Sequence, residues 1–321
     1  MNILFTCACG QKSEKLFYIL KKNFKKKINI IGCDIKKKIG KSNLDHFEKI
    51  KFTSNRIFLN QILRLCEKYK INFLFASADR ELEILSKNKN KFKKIKTIVL
   101  INEMNYTKIF NDKFKTYEFL KKINIELPKY KLIKKYSSIE KDLKEFGYPK
   151  RSVIVKSRYG IGGRGVHLLL GDKKIDIKKY KWFGNNGREK KIFFLTKNIK
   201  KKIFHPNKSI IMEALVSPSY DVDVLKINKN YMTSIRKRLN PSGIPYKGSK
   251  IVKNKKIEMI IKKILKKFDL KFILDFDFMT HDETKRPIIC EINTRPSGSI
   301  VDSEIQGKKI FTKFLKILLK S

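Results

Sequence analysis

The order of apolar and polar positions divides the first hundred residues into alternating strands and helices. Short apolar runs, typical of strands buried on both faces, lie at residues 2–8, 28–35, 71–77 and 96–100. Amphipathic helices, with apolar residues three and four positions apart, are predicted at residues 12–24, 56–70 and 80–92. This alternation predicts a parallel sheet with right-handed crossovers, in which ligands bind beyond the carboxyl ends of the strands. Asp34 and Asp79 follow two of these strands, although either could simply cap a helix.

The pattern changes after residue 104 to a helix and then closely spaced strands. The helix within residues 111–130 ends near Pro128, and residues 150–235 have the short apolar runs of antiparallel strands. A Lys- and Asn-rich segment, residues 172–208, has weak signals, and its part 182–191 is predicted to be an exposed loop. A helix at 256–269 leads into a hairpin. We therefore predict an α/β protein with a Rossmann-like parallel-sheet domain at 1–104 and an α+β domain at 105–321.

A glycine-rich loop joins two of the predicted strands within residues 152–170. Lys156 ends the first strand, and the glycines before the second strand are Gly160, Gly162, Gly163 and Gly165. Glycines let the backbone approach an anion closely, and a nearby lysine supplies a cation for phosphate. A strand follows the glycines where a dinucleotide fingerprint needs a helix, and the catalytic motifs of a kinase do not follow. The loop is either a flap over phosphates or a flexible hairpin.

The C-terminal hairpin carries acids on both of its strands. Asp275 and Asp277 lie on the first strand, and Glu291, Asn293 and Arg295 lie at alternate positions on the second. Alternate residues of a strand share a face, so facing carboxylates on paired strands need a cation between them. Carboxylate and amide oxygens suit Mg²⁺, and neither strand of the hairpin contains a histidine to favour zinc. The alternative is a solvated edge hairpin.

The charge of the chain favours anionic partners but identifies none. The sequence has 76 Lys and Arg against 30 Asp and Glu, a formal net charge of +46. Such a balance is typical of nucleic-acid binders, yet the lysines are spread along a chain that is also rich in Ile, Asn and Phe. We attribute the excess to compositional bias, which makes the rarer arginines informative because only they offer a planar, two-pronged donor. Five of the arginines fall in the stretches that carry candidate chemistry, namely Arg158, Arg164, Arg236, Arg238 and Arg295, whereas Arg56, Arg64 and Arg286 are typical of plain surface positions.

Cysteine usage and hydropathy bear on the compartment. The five cysteines are scattered without a disulfide or CxxC spacing, which is typical of a protein of the reducing cytoplasm. No apolar run approaches 18 residues, so we expect no membrane span, and the first ten residues are too short for a signal peptide.

The chain order of Lys113, the glycine loop with Lys156, the strand ending in Glu213 and the Glu-x-Asn-x-Arg strand resembles the ATP-grasp superfamily. The nearest branch is similar to the large subunit of carbamoyl phosphate synthetase, and the resemblance covers nearly the whole chain. It implies a pre-ATP-grasp domain at 1–104 and an ATP-grasp domain at 105–321, with a glycine-rich lid at about 150–216. Where many members have an acid before Tyr220, this chain has Ser219, so Asp221 or Asp223 would have to replace that ribose ligand.

The resemblance also implies roles for individual residues. Contacts to the nucleotide are implied for Lys113, Lys156, Gly160, Gly162, Gly163, Gly165, Glu213, Leu215, Val216 and Asp221. Metal ligation is implied for Asp277, Glu291 and Asn293. Catalytic contacts to the transferred phosphoryl group and the acceptor are implied for Arg295, Arg236 and Arg238, although the last two could be solvated strand residues.

The implied activity is an ATP- and Mg²⁺-dependent ligase, with Mn²⁺ as a substitute metal. It would phosphorylate a small-molecule carboxylate and let an amine attack the acyl phosphate to form an amide. Two alternatives remain: carboxyphosphate chemistry with bicarbonate, as in carbamoyl phosphate synthetase, or a catalytically inactive, basic nucleic-acid-binding protein. We expect no membrane partner, and a homodimer is the default oligomer.

Overall fold

Three five-stranded sheets form the framework of the protein. The computed structural model describes residues 1–36, 43–51, 54–159, 165–171, 180, 190–239 and 248–320. Within these residues no helix is both long and apolar enough to cross a membrane.

The N-terminal sheet is parallel, as the alternating pattern predicts. Its strands are β1 (Asn2–Thr6), β2 (Asn29–Asp34), β3 (His46–Lys49), β4 (Phe73–Phe75) and β5 (Ile98–Val99). They lie in the order β3-β2-β1-β4-β5, in which the chain starts at the centre and fills each side in turn. The helices that follow β1, β3 and β4 are α1 (Ser13–Phe24), α2 (Asn55–Lys68), α3 (Asp79–Lys87) and α4 (Lys89–Lys94). The sequence pattern had joined α3 and α4 into one helix and had missed β3, a short half-exposed strand.

The second sheet carries the glycine-rich loop. Its strands are β6 (Tyr130–Leu132), β7 (Val153–Ser157), β8 (Val166–Leu169), β9 (Lys190–Ile192) and β10 (Ser209–Glu213). They lie in the order β6-β10-β7-β8-β9, with β7 and β8 antiparallel, so the loop is the connection of a hairpin. The sheet includes β6 and therefore begins earlier in the chain than the predicted lid at 150–216. The predicted exposed loop at 182–191 lies outside the described residues except for its last two.

The third sheet is antiparallel and carries the acidic hairpin. Its strands are β11 (Val216–Ile227), β12 (Asn230–Arg238), β13 (Ser249–Ile251), β14 (Phe272–Thr280) and β15 (Pro287–Asn293). They lie in the order β13-β12-β11-β14-β15. One face of this sheet packs against α9 (Lys255–Lys267), whose Ile257, Ile261 and Ile264 are fully buried. The opposite face is left for the polar residues of β11, β12, β14 and β15.

The remaining helices connect the sheets. They are α5 (Met104–Phe110), α6 (Lys113–Lys121), α7 (Ile139–Glu145), α8 (Lys197–Ile203), α10 (Val301–Ile305) and α11 (Ile310–Leu318). Helix α11 packs on the N-terminal sheet, where Phe75 and Phe311 have ring centroids 4.8 Å apart and belong to one buried cluster with Leu225 of β11. This shared apolar core fixes the carboxyl edge of the N-terminal sheet beside the end of β15.

Candidate active site

The acidic hairpin brings its side chains together on one face of the third sheet. Residues opposite each other in neighbouring strands pair Asp221 with Asp277 and Asp277 with Glu291. The next row pairs Asp275 with Asn293. Side chains directly opposite in an antiparallel pair lie close together, so the sequence prediction that Asp277 and Glu291 are within reach is confirmed by the strand register.

Arg238 holds two of these carboxylates. Its Nε donates to both carboxylate oxygens of Asp221 at 3.1 Å, and its Nη2 donates to Asp277 Oδ1 at 2.5 Å. Burial raises the pKa of Asp221, but the charges of Arg238 and Arg236 outweigh burial and bring it down to about 2. Burial raises the pKa of Asp277 to about 7, because the attraction of Arg238 offsets only part of the desolvation cost. Beside the same guanidinium, Asp221 therefore has a lowered pKa and Asp277 a raised one.

Asp275 is a site residue to which the sequence analysis gave no role. Its Oδ2 accepts from Asn293 Nδ2 at 3.1 Å, while its buried Oδ1 has no hydrogen-bond partner among the described residues. Oxygen atoms of Asp221, Asp275 and Asp277 lie within 4.8 Å of one another. Burial and these neighbouring acids raise the pKa of Asp275 well above its usual range. An oxygen-only donor set with an unsatisfied carboxylate oxygen fits Mg²⁺, which prefers hard oxygen ligands.

Lys113 enters the same site from the start of α6. Its Nζ lies 3.0 Å from Glu291 Oε1. The N-cap residue Asp112 accepts a hydrogen bond from Lys115 N at 3.2 Å. Arg158 donates through Nε and Nη2 to the two carboxylate oxygens of Asp112, at 2.8 Å each. Arg158 follows β7, so this bidentate pair fixes the first turn of α6 to the strand that carries Lys156. Arg158 is one of the arginines that the lysine-rich composition makes informative, but nothing in the sequence indicates this positioning role.

Lys156 is buried between the second and third sheets, with 6% of its surface exposed. Its Nζ donates to Tyr117 Oη at 2.7 Å, and Tyr117 Oη donates to the carbonyl oxygen of Cys290 at 3.0 Å. Cys290 directly precedes Glu291, so this chain of hydrogen bonds ties Lys156 to the acidic strand. Burial lowers the pKa of Lys156 to about 8, because the charged ammonium is poorly solvated there. Tyr117 was not found from the sequence, where it reads as an apolar helix position.

The lowered pKa predicts a pH-dependent affinity for nucleotide. Lys156 is protonated below its pKa of about 8 and loses its charge as the pH rises through that value. If this cation binds phosphate, the Kd for ATP should be constant at pH 6.5–7.5 and should increase above pH 8, by at most about tenfold per pH unit for one linked proton. Equilibrium titrations at fixed Mg²⁺ and ionic strength would measure this, and a constant Kd up to pH 9.5 would contradict it.

Only part of the glycine-rich loop is described by the structure. Gly160, Gly162 and Gly163 lie outside the described residues. Gly165 has φ +71°, and its carbonyl oxygen accepts from Ser157 N at 2.9 Å. A Cβ at this position would lie 3.1 Å from Ser157 Cβ, in a conformation that favours glycine, so Gly165 is needed where the loop re-enters β8.

The predicted adenine-binding residues lie where the second sheet passes into the third. Glu213 ends β10, its Oε1 accepts from Lys129 N at 3.0 Å, and its Oε2 lies 3.6 Å from His281 Nε2. Leu215 and Val216 are buried in an apolar cluster with residues of both sheets, including Ile154 and Ile288. This apolar cluster lies beside the backbone that connects β10 to β11, and its side chains suit the planar adenine ring. The ribose contact predicted for Asp221 stays a prediction, since the carboxylate faces Arg238 and Asp277 in this structure.

The other two predicted arginines differ in accessibility. Arg295 forms a bidentate pair with Asp79 of the N-terminal domain, with both N–O distances at 2.8 Å. Arg236 has no exposed surface, and it donates to Asp223 Oδ2 at 2.9 Å and to Ser299 Oγ at 3.0 Å. The substrate contact predicted for Arg236 therefore needs correction. Its guanidinium is enclosed by these partners, has no exposed surface and is part of the interior packing of the third sheet.

A cavity of about 540 Å³ opens between the two domains beside Arg295. It is lined by the carboxyl edge of the N-terminal sheet, including Cys7 and Ser77, and by residues 295–301 after β15. Lys12 lies on its rim and donates to both carboxylate oxygens of Asp302, at 2.5 and 2.7 Å. The cavity is lined by apolar and charged side chains together, and one of them, Arg295, follows Glu291 and Asn293 directly along the chain.

Two protein families match separate parts of the chain. Residues 205–321 match a family described as "ATP-grasp in the biosynthetic pathway with Ter operon". Residues 3–100 match a family described as "PylC-like, N-terminal domain". No curated protein sequence is significantly similar to the chain.

Solved structures with similar folds cover almost all of the chain. L-amino acid ligase from Bacillus licheniformis superposes with a TM-score of 0.68 at 13% identity, covering 99% of this chain and 74% of that one. Biotin carboxylase from Campylobacter jejuni gives 0.66 at 16% identity, over 99% and 70% of the two chains. N5-carboxyaminoimidazole synthetase from Staphylococcus aureus, solved with ADP, gives 0.63 at 15% identity, over 96% and 77%. At these identities the similarity shows a shared fold, which confirms the predicted arrangement of an N-terminal parallel-sheet domain before a second, α+β domain.

Proposed function

We propose that the chain is an ATP-grasp ligase with a PylC-like N-terminal domain, and that it joins a carboxylate to an amine in an ATP- and Mg²⁺-dependent reaction. The observation that carries the proposal is the convergence of Lys113 and Lys156 on Glu291 and its strand. These two lysines come from a helix and from the second sheet, and both face a hairpin of carboxylates. Two cations beside a carboxylate cluster suit a polyphosphate held through a metal.

The metal would be held by Asp277, Glu291 and Asn293, with Asp275 beside them. The Oδ1 of Asp275, which has no hydrogen-bond partner among the described residues, supports this assignment, as do the clustered oxygen atoms of Asp221, Asp275 and Asp277. Glu291 and Asn293 lie opposite Asp277 and Asp275 in the strand register. When bound, Mg²⁺ would neutralise phosphate charge and shield the carboxylates from one another. Lys113 and Lys156 would bind the phosphates directly, and both residues are already held in place by Glu291 and Tyr117.

The chemistry proceeds in two steps. The substrate carboxylate oxygen attacks the γ-phosphorus of ATP, the bond to the β–γ bridging oxygen breaks, and ADP leaves. The amine nitrogen then attacks the acyl carbon, phosphate leaves with the C–O electron pair, and the nitrogen gives up a proton. Arg238 and Arg295 would stabilise the negative charge on the transferred phosphoryl group and on the departing phosphate.

The carboxylate substrate is proposed to bind in the cavity between the domains. Arg295 and Lys12 place two cationic side chains there, each already paired with an acid, so a substrate with both a carboxylate and an ammonium group could replace either half of a pair. Residues of both domains line the cavity, which makes their fixed relative position part of the site. Its enclosed floor would keep water from the acyl phosphate.

Product analysis tests the proposed activity. We expect purified protein with ATP and Mg²⁺ to release ADP and phosphate only when a carboxylate and an amine are both present. Pools of small acids and amines, with phosphate release as the readout and mass spectrometry of the products, would identify the pair. The amide should form in a 1:1 ratio with ADP. ADP release with bicarbonate alone would favour carboxyphosphate chemistry, and salt-sensitive RNA binding without ATP binding would favour the inactive alternative.

A cytoplasmic location and a homodimer are also proposed. No disulfide joins Cys7, Cys9, Cys33, Cys66 or Cys290, all of which the structure describes, and this is typical of a protein of the reducing cytoplasm. A homodimer is proposed from the frequency of twofold oligomers alone.

A further inference from the structure

We propose that Arg238 occupies the cation position of the metal site when no metal is bound, and that a divalent metal must displace it from Asp277 while Asp221 keeps hold of it. This inference rests on the proposed function, because it requires Asp277 to be a metal ligand. It adds two roles: Arg238 competes with the metal, and Asp221 is a positioning residue for Arg238.

The bridging geometry is the first support. Arg238 donates through Nε to both oxygens of Asp221 and through Nη2 to Asp277. Asp221 and Asp277 are directly opposite each other on β11 and β14, so one guanidinium spans the gap between paired strands. Only 15% of the Arg238 side chain is exposed, and the planar fork suits two carboxylates as a lysine would not.

The third carboxylate shows why a metal would be the better occupant. Asp275 contributes an oxygen to the same cluster, and that residue keeps one buried oxygen without a hydrogen-bond partner among the described residues. A guanidinium bears one positive charge, so it cannot neutralise both carboxylates that it touches, and it leaves this oxygen of Asp275 unsatisfied. A divalent cation bears twice the charge and accepts several oxygen ligands at once, so it competes for Asp277.

Displacement would not release Arg238 altogether. Its contacts to Asp221 use both Nε and Nη2, so the guanidinium can give up Asp277 and remain bound to Asp221 beside the site. The N–H group released from Asp277 would then face the phosphate charge that the metal does not neutralise. Asp221 acts through Arg238 in this scheme and touches neither metal nor substrate.

Metal binding to the nucleotide-free full-length chain tests the scheme. Free Mn²⁺ would be measured by electron paramagnetic resonance in the wild type, R238M, D221N and the double variant. We expect R238M to bind Mn²⁺ about tenfold tighter or more, since a charged hydrogen-bonding competitor is removed. D221N should bind Mn²⁺ more weakly, because Arg238 then has only Asp277. This weakening should be much smaller in the R238M background, as a double-mutant cycle would show.

The controls separate the possible failures. Arg286 is half exposed and pairs with Glu126, so R286M removes the same charge elsewhere and should leave Mn²⁺ affinity unchanged. If R238M does not fold, R238K should show a smaller gain in affinity, since an ammonium cannot bridge both acids in the same way.

Equal or weaker Mn²⁺ binding by the Arg238 variants would overturn this inference and leave the metal site intact. No Mn²⁺ binding by any form would overturn the metal site itself, and an equal effect of D221N in both backgrounds would make Asp221 a metal ligand.

Discussion

Replacing Glu291 with glutamine is expected to abolish most of the ligase turnover while the protein stays folded. Glu291 lies opposite Asp277 in the strand register and 3.0 Å from Lys113, so its charge faces both the proposed metal and a phosphate-binding lysine. Glutamine keeps the shape and one acceptor oxygen but removes the charge. We expect kcat to fall by about 10²–10³-fold, which is typical for the loss of one charge-stabilising contact. Steady-state ADP release at saturating substrates would measure it.

A matched control and a metal titration make this result specific. Glu126 is about half exposed and pairs with Arg286, so E126Q makes the same change far from the acidic hairpin and should retain full activity. The Mg²⁺ concentration for half-maximal activity should increase in E291Q, because a ligand has lost its charge. Circular dichroism and thermal unfolding should show a native fold. A variant with wild-type kcat and wild-type Mg²⁺ dependence would show that Glu291 is not a metal ligand.

The sequence predicts the framework well because alternation and periodicity are local properties. The parallel sheet, the strand–loop–strand at Lys156 and the pairing of Asp277 with Glu291 all follow from patterns a few residues long. The prediction fails where the apolar pattern is weak. Strand β3 was missed because its four residues are all half buried or exposed. The split between α3 and α4 at Asn88 also has no apolar signal in the sequence.

The contacts between distant segments could not be predicted, because they depend on how separate elements pack. Arg158 and Asp112 are 46 positions apart, and Arg295 and Asp79 are 216 apart. The same limit explains Arg236 and Arg238, which alternate on one strand and look equivalent in sequence. The structure encloses Arg236 completely and leaves Arg238 at the acids. Burial on that strand is set by residues 299–303, which pack over Arg236 from the other end of the domain.

Replacing Lys156 with methionine is expected to weaken ATP binding strongly and, at the same time, to stabilise the empty protein. The ammonium is buried and its pKa is lowered to about 8, so keeping it charged in the folded state costs free energy at neutral pH. Methionine fills a similar volume without that cost. A charge-assisted contact to phosphate contributes about 1.5–3 kcal/mol, so the Kd for ATP should increase by about 10–150-fold. Isothermal titration calorimetry at pH 7 would measure the change in Kd.

The two opposite effects distinguish a binding role from a structural one. Without nucleotide, K156M should have a higher Tm than the wild type, whereas the increase in Tm on adding ATP should be smaller, since ligand stabilisation follows affinity. The increase of Kd above pH 8 should also disappear, because no titrating ammonium remains. Lys134 is exposed just beyond β6 of the same sheet, so K134M removes an equal charge and should leave both Tm and Kd unchanged. If K156M binds ATP as tightly as the wild type, phosphate is not held by Lys156, and its bond to Tyr117 serves the packing of the two sheets alone.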